Sequence, residues 1–127
     1  MIAMGRTIVV VEDSFDCAET LQIALESIAG VDIRVVASGQ AALEFLARCG
    51  EDVAAVVTDL QMPRMSGMDL LTRLKSDPRL RQIPVLIISG DSDPRLPARS
   101  LSFGAHAYFS KPYSPIQVRQ TLEQLLR

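Results

Sequence analysis

Five short apolar runs, separated by stretches with helical periodicity, restrict the fold of this chain more than any other feature. Ile8-Val9-Val10-Val11 and Val85-Leu86-Ile87-Ile88 are unbroken apolar segments, the pattern of strands covered on both faces. With Val53-Ala54-Ala55-Val56-Val57-Thr58 and two shorter runs, they predict strands at about 7–12, 32–37, 53–59, 84–89 and 107–110. Between them, apolar residues recur every three or four positions. Phe15, Ala18, Leu21, Leu25 and Ile28 predict a helix from about Phe15 to Ala29, with Gly30 placed to stop it. Ala42, Leu43 and Leu46 mark a second helix ending before Gly50. Leu70, Leu71 and Leu74 mark a third, starting near Ser66 and ending before Pro78. A fourth is expected around Asp93 to Phe103, short or irregular and the mobile part of the fold. Pro94 can sit in its first turn, but Pro97 lacks the donor that a helix interior needs. Val118, Leu122, Leu125 and Leu126 stripe the last helix.

Strands alternating with helices imply an α/β domain, a parallel sheet with helices on both faces joined by right-handed crossovers. No linker or repeat breaks the pattern, so residues 1–127 are expected to form a single domain, with no output domain after the last helix. A net charge of −2 leaves no basic footprint for nucleic acid or an anionic membrane. Cys17 and Cys49 lack metal-type spacing and suit a reducing compartment. No stretch approaches a membrane span, and Met1-Ile2-Ala3-Met4-Gly5-Arg6 is too short for a signal peptide. A cytoplasmic location is expected.

The chemistry-bearing residues collect where the strands end. The first run leads into Glu12-Asp13, the third into Asp59, the fourth into Ser89 and the fifth into Lys111-Pro112. In an open parallel sheet, ligands bind outside the carboxyl ends of the strands, where the strand order reverses. With an order of 2-1-3-4-5, Glu12, Asp13 and Asp59 would face one another across that point. Three carboxylates in one crevice repel unless they share a cation. Magnesium suits all-oxygen ligation and commonly joins carboxylates to a phosphate. Taken singly, Asp13 reads as a helix N-cap and Asp59 as a polar turn residue. Taken with Ser89 and Lys111, they form the parts of a magnesium-dependent phosphoryl transfer onto a carboxylate.

Val11-Glu12-Asp13-Ser14, Thr58-Asp59-Leu60-Gln61-Met62-Pro63 with Ser66-Gly67, Ile88-Ser89-Gly90, Gly104-Ala105 and Lys111-Pro112 follow one another in this order. The chain thereby resembles a response-regulator receiver domain, the CheY-like phosphoacceptor module of two-component signalling, over essentially its whole length. The resemblance implies a flavodoxin-like, doubly wound (βα)5 sheet. It implies Asp59 as the phosphoacceptor, with Lys111 and Ser89 contacting the phosphoryl group. Magnesium, replaceable by manganese, would be held by Asp13, Asp59 and the backbone carbonyl of Gln61, with Glu12 acting through water. It further implies a cis Lys111–Pro112 bond and a switch in which Ser89 and Tyr108 move on phosphorylation. That switch would remodel the face of the fourth helix, fifth strand and fifth helix, where Arg95, Arg99 and Arg119 read either as a positive rim for a partner or as solvated surface arginines. Gln61 and Asp91 would tune the lifetime of the phosphoryl group.

The implied donor is a sensor histidine kinase or a histidine phosphotransfer protein, and the implied output is control of a protein target. Such a domain is not an enzyme beyond its own phosphorylation and dephosphorylation. It would be a monomer or a phosphorylation-dependent dimer, without direct contact to nucleic acid or membrane. A haloacid-dehalogenase-type phosphatase would need an aspartate where Gln61 stands. A flavin carrier would not place Glu12-Asp13 against a flavin phosphate. The rival is a receiver-like adaptor that works without phosphorylation, though such domains usually lose a key residue and none is lost here. His106, in the loop before the last strand, reads as exposed, and Tyr108 reads otherwise as a packed tyrosine with its hydroxyl in water.

Overall fold

The computed structural model describes residues 6–126. Residues 1–5, which carry most of the stretch read as too short for a signal peptide, lie outside the described residues, as does Arg127. The elements alternate as β1 (Thr7–Val11), α1 (Phe15–Glu26), β2 (Asp32–Val36), α2 (Gly39–Cys49), β3 (Val53–Asp59), α3 (Gly67–Ser76), β4 (Val85–Ser89), α4 (Leu96–Ser102), β5 (Ala107–Ser110) and α5 (Pro115–Leu125). All five strands are parallel and lie in the order β2-β1-β3-β4-β5, the flavodoxin-like doubly wound arrangement. The order reverses between β1 and β3.

The apolar runs are continuous because each strand feeds two cores. Val9 and Val11 of β1, Val56 of β3 and Val85 and Ile87 of β4 face one cluster, packed with Ala42, Phe45 and Leu46 of α2 and Leu70, Leu71 and Leu74 of α3. Their neighbours Ile8, Val10, Ala55, Val57, Leu86 and Ile88 face the other, against Leu21 and Leu25 of α1 and Val118 and Leu122 of α5. This alternation is the period-two geometry of a strand, expressed on two buried faces. The central strands therefore sit in register with almost no exposed side chain, and their carboxyl ends are held in fixed relation.

Local chemistry sets the helix ends. Ser66 and Asp69 close a capping box at the start of α3, Ser38 accepts from the Ala41 N–H at α2, and Ser114 caps α5 ahead of Pro115. Two helices are shorter than their periodicity predicts. α1 stops at Glu26 because Ser27 donates to the Ala24 carbonyl and Ile28 N–H bonds Leu25, tightening the chain into a turn. The Arg6 guanidinium then takes the Ala29 and Gly30 carbonyls, with Gly30 at φ +77°. α4 begins only at Leu96, after Asp93 has turned the chain by accepting from Arg95 N–H. Pro97 thus lies in the first turn, where no N–H is required, rather than in a helix interior.

Lys75 closes the far end of the sheet from the strand tips. Its ammonium donates to the Arg81 and Ile83 carbonyls, and burial pulls its pKa below the usual lysine value. Cys17 and Cys49 are both free and half-buried. Among the described residues, no helix is long and apolar enough to cross a membrane.

Candidate functional site at the strand carboxyl ends

Asp59 is the last residue of β3 and only 6% exposed. Each of its carboxylate oxygens has a partner. Oδ1 accepts from the Gln61 N–H at 2.9 Å, and Oδ2 accepts from the Lys111 ammonium at 2.7 Å. The first bond is the polar turn that a lone aspartate would make, so the turn role and the site role coexist. Lys111 reaches in from the loop after β5, across a cis Lys111–Pro112 bond, and its backbone N–H continues the β4–β5 pairing to the Ser89 carbonyl at 2.7 Å.

Glu12 follows β1, is 8% exposed, and lies 3.6 Å from the same ammonium. Its Oε2 accepts from the Ser14 N–H at 3.1 Å, which orients the carboxyl at the start of α1. Burial pushes the Glu12 pKa up, and the adjacent Asp59 pushes it the same way, against the Ser14 N–H and Lys111. For Lys111, burial alone would lower the pKa, but the hydrogen bond and charge of Asp59, together with the charge of Glu12, hold it above the lysine value.

The remaining predicted residues fall around this cluster. Ser89 ends β4 fully buried, and its Oγ accepts from the Asp91 N–H at 3.0 Å. Gln61 Nε2 donates to Asp91 Oδ2 at 3.0 Å, so the loops after β3 and β4 are joined across the mouth of the crevice. Tyr108 of β5 packs in the cluster with Leu96, Met62 and Met68. Its hydroxyl is buried and has no hydrogen-bond partner, unlike an ordinary surface tyrosine with its hydroxyl in water. His106 is exposed.

Two further expectations meet a looser arrangement. Glu12 and Asp59 share the Lys111 ammonium, whereas Asp13 is exposed, and among the described residues no three His, Cys, Asp or Glu side chains are grouped for a metal ion. Two carboxylates sharing one ammonium already limit their repulsion, and Asp13 gains more from water. It is not the cap of α1 either, since Ser14 holds that position. The three arginines have local partners, while Arg95 and Arg99 remain exposed. Arg95 pairs with Asp93 at 2.9 Å, Arg99 lies over the Phe103 ring, and Arg119 turns to α1, donating to Ser27 Oγ at 3.2 Å. The Arg95 side chain and N–H hold Asp93 down at a pKa of about 2.

Gly67 is a contributor that the periodicity of the sequence does not reveal. A Cβ there would lie 2.5 Å from the Asp59 carbonyl oxygen, and its N–H bonds the Leu60 carbonyl at 2.8 Å. The first turn of α3 therefore presses directly on the backbone that carries Asp59. A glycine at the start of a helix, just past Ser66, was the available signal.

As for metal, the donors available are the carboxylates of Glu12, Asp13 and Asp59 and the Gln61 carbonyl, all of them oxygen, which is the chemistry of a hard divalent cation. In chemical character, the residues fit magnesium.

Residues 8–123 match the family described as the response regulator receiver domain. Over its full length the chain is 32% identical to the transcriptional regulatory protein GltR of Pseudomonas aeruginosa, covering 51% of that protein. Over 75% of its length it is 36% identical to the two-component response regulator ORR7 of japonica rice, covering 45% of that protein. The chain thus spans about half the length of these relatives. Among solved structures, the signal receiver domain of a signal transduction histidine kinase from Syntrophus aciditrophicus superposes with a TM-score of 0.84 at 36% identity. That match covers 95% of this chain and 89% of the other.

Proposed function

The chain belongs to the response regulator receiver domain family of two-component signalling, and from that premise we propose that Asp59 is its phosphoacceptor. The observation that carries this reading is the 2.7 Å contact between Lys111 and a nearly buried Asp59, with Glu12 beside them. In the transfer, a carboxylate oxygen of Asp59 attacks the phosphorus of a phosphohistidine. The phosphorus–nitrogen bond breaks, and the electron pair returns to the imidazole of a sensor histidine kinase or a histidine phosphotransfer protein. Lys111, already bonded to Oδ2, is placed to follow the charge as it moves onto phosphoryl oxygens. The buried Ser89 hydroxyl accepts from the Asp91 N–H and keeps its own hydrogen to donate to one of those oxygens.

Magnesium, or manganese in its place, would be held by Asp13, Asp59 and the Gln61 carbonyl, with Glu12 acting through water, and would supply neutralisation of the transferring phosphoryl charge. Asp13 is the residue that must turn in from solvent for this. Tyr108, with its orphaned hydroxyl beneath α4, is the second half of the switch. Its rearrangement with Ser89 alters the α4–β5–α5 face read by a downstream protein. Gln61 and Asp91, joined across the mouth, control the access of water and hence phosphoryl lifetime. The domain turns over no substrate beyond its own phosphorylation and dephosphorylation. It works in the cytoplasm as a monomer or a phosphorylation-dependent dimer, without contacting nucleic acid directly.

Incubation of the purified protein with magnesium and acetyl phosphate tests the proposal. Wild type should gain the mass of one phosphoryl group, and Asp59→Asn should not. Identical behaviour of the two would instead leave the phosphorylation-independent adaptor as the function.

A further inference from the structure

A second feature lies outside this crevice, on the exposed side of α3. Asp69, Thr72, Arg73 and Ser76 recur at i, i+3, i+4 and i+7 and form one stripe, opposite the buried Leu70, Leu71 and Leu74. At about 1.5 Å per residue the stripe is roughly 10 Å long. It floors an open cleft of about 630 Å³ that is bounded at one end by Arg64 and at the other by Asp77.

The charges in this cleft are not equally available. The Asp69 carboxylate accepts from the Ser66 N–H in the capping box, and Asp77 accepts from the Arg79 N–H at 2.8 Å with the Arg79 guanidinium at 3.8 Å. The two hydroxyls are turned to the helix: Thr72 donates to the Met68 carbonyl and Ser76 to the Thr72 carbonyl, which leaves their oxygen lone pairs free. Among the described residues, neither Arg64 nor Arg73 has a hydrogen-bond, ion-pair or ring partner. Two uncommitted guanidiniums therefore face a cleft whose carboxylates are already engaged.

Arg73 has a local reason to be where it is, since a cation in the last turn of a helix opposes the macrodipole. Arg64 has none. It sits at φ +71°, the one non-glycine position with positive φ among the described residues, where glycine or asparagine would be less strained. It also precedes α3, the end of a helix where a cation is disfavoured. A side chain held against both preferences points to a use for its guanidinium. We propose that the α3 cleft binds an acidic segment of a partner protein, with Arg64 and Arg73 each taking a carboxylate as a forked ion pair. Residues two apart in an extended segment project from one face about 7 Å apart, so acids at alternate positions can offer one carboxylate to each guanidinium. This surface does not depend on the chemistry of Asp59.

Titration of the labelled protein with hexaglutamate, followed by amide chemical shifts at low salt, tests the assignment, with hexalysine as the mismatched probe. Saturable shifts confined to the Arg64 loop and residues 69–76 are expected with hexaglutamate only. Arg64→Gly removes the guanidinium while relieving the backbone, so it should melt no lower than wild type yet bind about tenfold more weakly. Arg95→Ala should bind as wild type does. Equal affinity for hexalysine, shifts spread without saturation, or unchanged binding in Arg64→Gly would each overturn the proposal.

Discussion

Tyr108 carries an energetic oddity in a single oxygen. A buried hydroxyl without a partner costs about 1–3 kcal/mol relative to one that is satisfied. Removing it while keeping the ring should therefore help. Tyr108→Phe is expected to raise stability by about 1 kcal/mol in thermal melts, and a lower melting temperature would show that the hydroxyl is satisfied after all. Glu12 gives a prediction with a definite sign. Its pKa is raised on folding, so the folded state holds this proton more tightly than the unfolded chain does. Stability measured without divalent cations should rise as pH falls through the raised value toward 4.5, and Glu12→Gln should flatten that rise. At this scale the sequence was legible where a polar or charged residue closes an apolar strand: Asp59, Ser89 and Lys111 stand at the strand carboxyl ends, where that pattern places them. Asp13 and Arg119 were not, because which way a long or surface side chain turns depends on neighbours such as Ser27 that only the fold supplies.

Elements are held in place by their first turns. Ser66→Ala removes the capping box of α3 and should cost about 1 kcal/mol in denaturant unfolding. Gly67→Ala acts in the same turn by a different route, since its new Cβ meets the Asp59 carbonyl at 2.5 Å. It should cost roughly 1–3 kcal/mol and slow phosphorylation by acetyl phosphate more than Ser66→Ala does. Equal phosphorylation rates in the two variants would remove Gly67 from the site. Between the loops, Gln61→Ala and Asp91→Ala break the same bond. Their effects on phosphoryl lifetime should match, and the double variant should add little to either. Periodicity predicted every helix, because the apolar stripes of α1, α2, α3 and α5 are dictated by burial. It overextended α1 and α4, whose true ends are set by Ser27, Arg6 and Asp93 through hydrogen bonds that carry no hydrophobic signature.

For the molecule as a whole, the two cores share one sheet. Leu25 and Leu71 are both fully buried, on opposite faces. Leu25→Ala and Leu71→Ala should each cost about 2–5 kcal/mol and leave a single transition. Their effects should add in the double variant, because the two leucines lie in separate clusters on opposite faces of the sheet. Melts followed by circular dichroism and by tyrosine fluorescence should coincide in both variants; separated transitions would mean that the faces unfold independently.

The contact between Lys111 and Asp59 has one consequence for the bench. The chain has two lysines in all and carries its remaining side-chain positive charge on arginine. One lysine amine is tied to two carbonyls at the base of the sheet, the other to the carboxylates at its tips. Amine-directed reagents ignore guanidinium, so the rate at which Lys111 is acylated becomes a direct gauge of what occupies the crevice, read from one peptide in a mass spectrum with Lys75 as its internal reference.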